Sequence, residues 1–127
     1  MDHLILLADD NEKLRRSVAD ILEDAGYPVV EAATGKEALR HLDSPTEFSL
    51  LITDLVMPDM EGIELITLLR ESHPELKIVV ISGSFDGQFL HVAKLLGVKD
   101  ALQKPFKRSA LLAAVESALS TASPTLH

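Results

Sequence analysis

Three short runs, LILLA (residues 4–8), LLIT (50–53) and KIVVIS (77–82), are apolar almost throughout. A strand with one wet face alternates apolar and polar residues, whereas a strand covered on both faces does not. These runs therefore predict a parallel sheet enclosed by helices. Two further runs, PVVEA (28–32) and DALQ (100–103), complete a set of five. Helical periods separate them. Leu14, Val18, Ile21, Leu22 and Ala25 share one helical face, with Asn11 as the cap and Gly26 as the stop. TGKEALRHL (34–42) opens with a capping box from Thr34 to Glu37. Leu65, Ile66 and Leu69 repeat the stripe ahead of Pro74. Asp86 stands where it can cap a helix bearing Phe89, Leu90, Ala93 and Leu96 that stops at Gly97. Leu111, Leu112, Val115 and Leu119 mark a last helix whose stripe reads as core. Five β-α units predict an α/β fold with a doubly wound five-stranded parallel sheet, rather than an eight-stranded barrel.

The totals exclude several classes. A chain of 127 residues suits one domain, read here as residues 1–121 with 122–127 as a tail or the start of a linker. Hydrophobic content is 46%, which fits a globular chain. Net charge is −8, which disfavours direct nucleic-acid binding. There is no cysteine, hence no disulfide and no thiolate zinc site. No apolar run approaches the roughly 20 residues of a membrane span, and the Met1 start has no signal-peptide pattern. These readings predict a cytoplasmic domain with no membrane contact, and Met1 just before the first strand suggests a natural start.

In an open α/β sheet, sites form at the carboxyl ends of the strands. There the sequence places Asp9 and Asp10 after the first strand, Asp54 after the third, Ser82 after the fourth and Lys104 after the fifth. In a sheet of order 2-1-3-4-5 these four strands are neighbours and their ends converge. Taken singly, each residue has a plain explanation as a helix cap, a solvated acid or a turn residue. Together they place three carboxylates, a hydroxyl and an ammonium on one edge. Clustered carboxylates need a cation, or one must hold a proton. Oxygen donors with no nearby His or Cys suit Mg²⁺ or Mn²⁺, and Mg²⁺ suits phosphate chemistry. A metal, Lys104 and Ser82 around Asp54 would make a phosphoryl cradle, with Asp54 as nucleophile forming an aspartyl phosphate. Pro58 and Gly62 turn the chain sharply after Asp54 and leave room for a donor.

With these residues in hand, the chain resembles the receiver domain of two-component response regulators over about residues 3–120. The shared motifs are the acidic pair Asp9–Asp10, DLVMPDMEG (54–62), Ser82–Gly83 and KPF (104–106). The resemblance implies a flavodoxin-like (βα)5 fold of strand order 2-1-3-4-5, with Asp54 as the phosphoacceptor. Asp10 would ligate the metal directly, Asp9 largely through water, and Asp54 with the Val56 carbonyl would complete the protein ligands. Ser82 and Lys104 would bind the phosphoryl oxygens. The implied donor is a phosphohistidine on a sensor histidine kinase or phosphotransfer protein. The implied output is a changed contact with a downstream protein partner or output domain, with a phosphorylation-linked homodimer as a further option. Such a domain is not a conventional enzyme, although it catalyses its own phosphorylation and dephosphorylation.

One position departs from the family pattern. Receivers usually carry Tyr or Phe three residues before the conserved Lys, and here that residue is Ala101. The expected route of signalling then shifts toward the SGSFDG segment (82–87), where Phe85 and Phe89 are the large side chains placed to repack. Val56 and Ser84, two residues past Asp54 and Ser82, are poor holders of a hydrolytic water, so dephosphorylation is expected to be slow. Two other readings stand beside this one: a degenerate receiver acting only as an interaction module, and an aspartyl-phosphate phosphohydrolase. The latter usually needs an acid where Val56 stands. The five histidines show no ligand spacing and read as surface or cap residues.

Overall fold

The computed structural model describes residues 3–55, 62–83, 97, 98 and 100–120. Five strands, β1 (Ile5–Ala8), β2 (Val29–Ala32), β3 (Leu50–Asp54), β4 (Lys77–Ser82) and β5 (Asp100–Gln103), form one sheet. All pairings are parallel, as the alternation predicts, and the order is β2-β1-β3-β4-β5, as the family resemblance implies. Four helices lie among the described residues: α1 (Glu12–Asp24), α2 (Gly35–Leu42), α3 (Gly62–Ser72) and α4 (Arg108–Ser120). The segment read as a helix from Asp86 to Leu96, including Phe85 and Phe89, lies outside the described residues. So do Val56, Pro58, Ser84 and the tail. No described helix is long and apolar enough to cross a membrane.

The apolar runs are apolar because both faces of the sheet are covered. Leu6, Ala8, Leu51 and Val80 pack with Ala38 and Leu42 of α2 and Leu65, Ile66 and Leu69 of α3. Ile5, Leu7, Leu50, Ile52, Val79 and Ile81 pack on the other face with Val18, Ala19 and Leu22 of α1 and Leu111, Val115 and Ala118 of α4. β2 pairs only with β1, so its Val29, Val30 and Glu31 are half-buried.

The helix starts follow the side chains foreseen for them. Asn11 keeps an extended backbone and its Oδ1 accepts from the Leu14 N–H at 3.0 Å. Thr34 Oγ1 accepts from the Glu37 N–H at 3.0 Å, while Glu37 Oε1 reaches back to the Ala33 N–H at 3.1 Å. After α1 the chain turns through Gly26 at φ +98°, a left-handed conformation that side chains resist.

Register decides what stands level with what. Ala8 pairs with Thr53, Asp54 with Ile81 and Ser82 with Gln103. The residues that follow these strand ends therefore share one edge.

Candidate functional site

Asp54 is the last residue of β3 rather than the first after it, and it is only 8% exposed. Its neighbour Thr53 is fully buried and donates from Oγ1 to the Asp54 carbonyl at 2.9 Å, which fixes the strand end. Asp9 follows β1 and is 2% exposed. Its N–H donates to the Ala32 carbonyl at 3.1 Å, and its Oδ1 accepts from the Asn11 N–H at 2.9 Å. Asp10, next in the chain, is exposed. Asp9, Asp10 and Asp54 each offer a carboxylate oxygen, and these three oxygens lie within 4.8 Å of one another.

Lys104 faces this group from the end of β5. Its Nζ donates to Asp54 Oδ2 at 2.8 Å and to Asp9 Oδ2 at 3.3 Å. Its own N–H donates to the Ser82 carbonyl at 2.7 Å, so the ends of β4 and β5 are tied together. Ser82 is 1% exposed at the close of β4.

The electrostatics follow from burying like charges. Burial is the main cause that raises the Asp9 carboxyl above its ordinary value. The Asn11 N–H and Lys104 oppose the rise, and Asp54 adds to it. For Lys104 burial disfavours the ammonium, but the hydrogen bond and charge of Asp54, with Asp9 behind it, outweigh burial and raise its pKa. One ammonium thus faces three carboxylates. A group of oxygen donors with surplus negative charge is the chemistry that suits a hard divalent cation.

Of the predicted site residues, Asp9, Asp10, Asp54 and Lys104 come together at one edge, and Ser82 stands at the adjacent strand end. Val56 lies outside the described residues. Sequence reasoning missed Arg15. Its Nη1 donates to the Asp9 carbonyl at 2.8 Å, and its Nε donates to Glu31 Oε1 at 3.0 Å.

Known proteins agree with this architecture. The family model described as the response regulator receiver domain matches residues 5–116. The chain is 47% identical over 79 residues to the response regulator receiver protein CpdR of Brucella abortus, covering 62% of this chain and 65% of that protein. It is 36% identical over 111 residues to the CAI-1 autoinducer sensor kinase/phosphatase CqsS of Vibrio cholerae, covering 85% of this chain and 16% of that protein. The chain thus spans less than two thirds of the length of these relatives. The crystal structure of the receiver domain of NtrX from Brucella abortus superposes with a TM-score of 0.87 at 32% identity, covering 93% of this chain and 99% of that one. The chain belongs to the receiver domain family of two-component response regulators.

Proposed function

We propose that the chain is a cytoplasmic switch that accepts a phosphoryl group on Asp54 and changes its contact with a protein partner. The supporting observation is that Lys104 Nζ lies 2.8 Å from Asp54 Oδ2 in an acidic group that can hold a divalent cation. In this reading a carboxylate oxygen of Asp54 attacks the phosphorus of a phosphohistidine. The P–O bond forms as the P–N bond breaks, and the electron pair leaves on the imidazole nitrogen. The donor is a sensor histidine kinase or a phosphotransfer protein, in keeping with the sensor kinase among the relatives.

The chain's own residues divide the task. Asp9, Asp10 and Asp54, with the Val56 carbonyl, would hold Mg²⁺ or Mn²⁺, which would supply positive charge opposite the phosphoryl oxygens. Lys104 moves its hydrogen bonding from the carboxylates to a phosphoryl oxygen and answers part of the roughly −2 charge that an aspartyl phosphate carries. The Ser82 hydroxyl donates to another phosphoryl oxygen. Because the Lys104 N–H is bonded to the Ser82 carbonyl, a shift of either residue is felt by the other.

Output in this reading does not use an aromatic ring on β5. Ala101 pairs with Val80 and packs half-buried against the α2–α3 core, where its methyl group has nothing to reorient. The response instead concentrates in the segment that follows Ser82.

The test is intact-mass analysis after incubation with acetyl phosphate and Mg²⁺. One phosphoryl adduct is expected in the wild type and none in Asp54→Asn or in excess EDTA. An equal adduct in Asp54→Asn would overturn the assignment.

A further inference from the structure

We propose that Arg15 is a positioning residue for the acidic pair, holding the Asp9–Asp10 peptide in the orientation that lets both carboxylates face a cation. The inference rests on the metal-dependent reading above.

Arg15 lies in the first turn of α1, where a cation is the less usual choice beside a helix N-terminus. Its guanidinium does not extend into solvent. The side chain is 12% exposed and makes two directed bonds, Nη1 to the Asp9 carbonyl at 2.8 Å and Nε to Glu31 Oε1 at 3.0 Å. Glu31 stands on β2 one alternation past Val29, on the face that packs against α1, where an apolar residue would be expected. Arg16 Nη1 donates to the other Glu31 oxygen at 2.6 Å from a more exposed position. Both oxygens of this carboxylate are therefore engaged, and Arg15 is anchored to the second strand.

The anchor matters because of what it grips. The Asp9 carbonyl belongs to the planar peptide that also contains the Asp10 nitrogen. Holding that oxygen fixes the plane, and the plane sets the direction in which Asp10 leaves. The Asp9 N–H is already held by Ala32 and its Oδ1 by the Asn11 N–H. Arg15 supplies the remaining main-chain restraint. Asp10 is exposed, so no packing around it does the same task. A fork-shaped guanidinium can reach the carbonyl and the carboxylate together, which a single ammonium at the end of a shorter reach does not. A loose acidic pair must be ordered on binding a cation, and that ordering weakens affinity.

Charge alone predicts the opposite sign. A cation near a metal site repels Mg²⁺, so loss of Arg15 as a mere charge would tighten binding. Arg15→Lys keeps the charge and removes the fork, which separates position from charge. Mg²⁺ alone is titrated into the full chain, followed by the Asp10 amide resonance. Because partners behind a metal ligand commonly matter by ten- to a hundredfold, Arg15→Lys is expected to weaken Mg²⁺ binding about tenfold. Glu31→Gln, whose amide oxygen still accepts from Arg15, should lower the melting temperature yet leave the Mg²⁺ Kd within about twofold. In the unmodified protein the Arg15 Nε resonance should move with the same midpoint as the Asp10 amide. Arg15→Lys binding as tightly as wild type would overturn the proposal. So would equal weakening in Glu31→Gln, which would make the pair a brace for α1 only, or an Arg15 Nε signal that stays still through saturation. If wild type bound no Mg²⁺, the metal-dependent reading itself would fall, and the role of Arg15 with it.

Discussion

The two edges of the sheet use their polar side chains differently. At the carboxyl edge, side chains answer side chains: Lys104 bonds to Asp54 and Asp9, and three carboxylates crowd within reach of one ion. At the amino edge, two side chains reach backbone carbonyls at helix ends. An open cleft of about 1010 Å³ lies there, bordered by His3, Phe48, His73, Lys77 and Leu119. Lys77 Nζ donates to the Leu119 carbonyl at 3.2 Å, and His73 Nε2 bonds to the Leu42 carbonyl at 3.0 Å. In a parallel β-α array the helices run back against the strands. Their unpaired C-terminal carbonyls therefore gather at the amino edge, and their N-termini at the carboxyl edge. Lys77 and His73 each reach one of those carbonyls. The Asn11 and Thr34 caps serve the N-termini at the other edge, where Lys104 bonds to Asp54 and Asp9.

The contrast can be broken experimentally, beginning where the effect is largest. Lys104→Ala should keep the fold yet lose most of the phosphorylation-induced change in amide NMR shifts. A wild-type response in that variant would reduce Lys104 to a turn residue. Next, hydrogen exchange with and without beryllofluoride, a phosphoryl mimic, should change most in residues 82–92. Little change is expected at 100–103, and none at the amino edge in 44–49 and 73–77. Dominant changes at β5 and α4 would show that coupling runs through the fifth strand and the last helix without an aromatic residue.

Smaller effects separate the edges further. Lys77→Met removes a cation from the end of α4, and should cost about 0.5–1 kcal/mol in urea unfolding. The acetyl phosphate reaction should be untouched, since Lys77 and Asp54 sit at opposite edges. A slowed reaction would show that the edges are coupled.

The smallest expected effect is a matter of sign. Asp9 has a folded-state pKa raised above its ordinary value of 3.8 by burial, with Asp54 adding to the rise. A raised carboxyl favours folding below the unfolded pKa, and that contribution is lost as pH climbs through the folded pKa. Metal-free Asp9→Asn should therefore compare better with wild type at pH 7 than at pH 3. Urea midpoints in EDTA at the two pH values give the comparison, and the reverse order would show that Lys104 fully compensates the buried charge.

Much of the carboxyl edge is legible in the sequence. A run that ends in a polar or charged residue marks a strand end, and four such ends carry Asp9, Asp54, Ser82 and Lys104. Local chemistry also announced the Asn11 and Thr34 caps. Arg15 and Arg16 were invisible in the same way that most helix-surface charges are. In sequence they are two basic residues on the polar side of a helix, and nothing nearby names Glu31 as their partner. His73 has no sequence neighbour that names the Leu42 carbonyl it meets, and in sequence it is only a surface or cap residue.

What the sequence by itself determined is periodic and local: which segments are strands, which faces are apolar, where helices start, and which chemical groups stand at strand ends. Each depends on neighbours a few residues apart, through the alternation of a strand or the turn of a helix. Only the tertiary structure decided the contacts between crossovers, such as Arg15 with Glu31 sixteen residues away and Lys104 with Asp9 ninety-five residues away. Those depend on strand order and register, which place distant segments within a hydrogen bond of each other by packing two apolar layers on a twisted sheet.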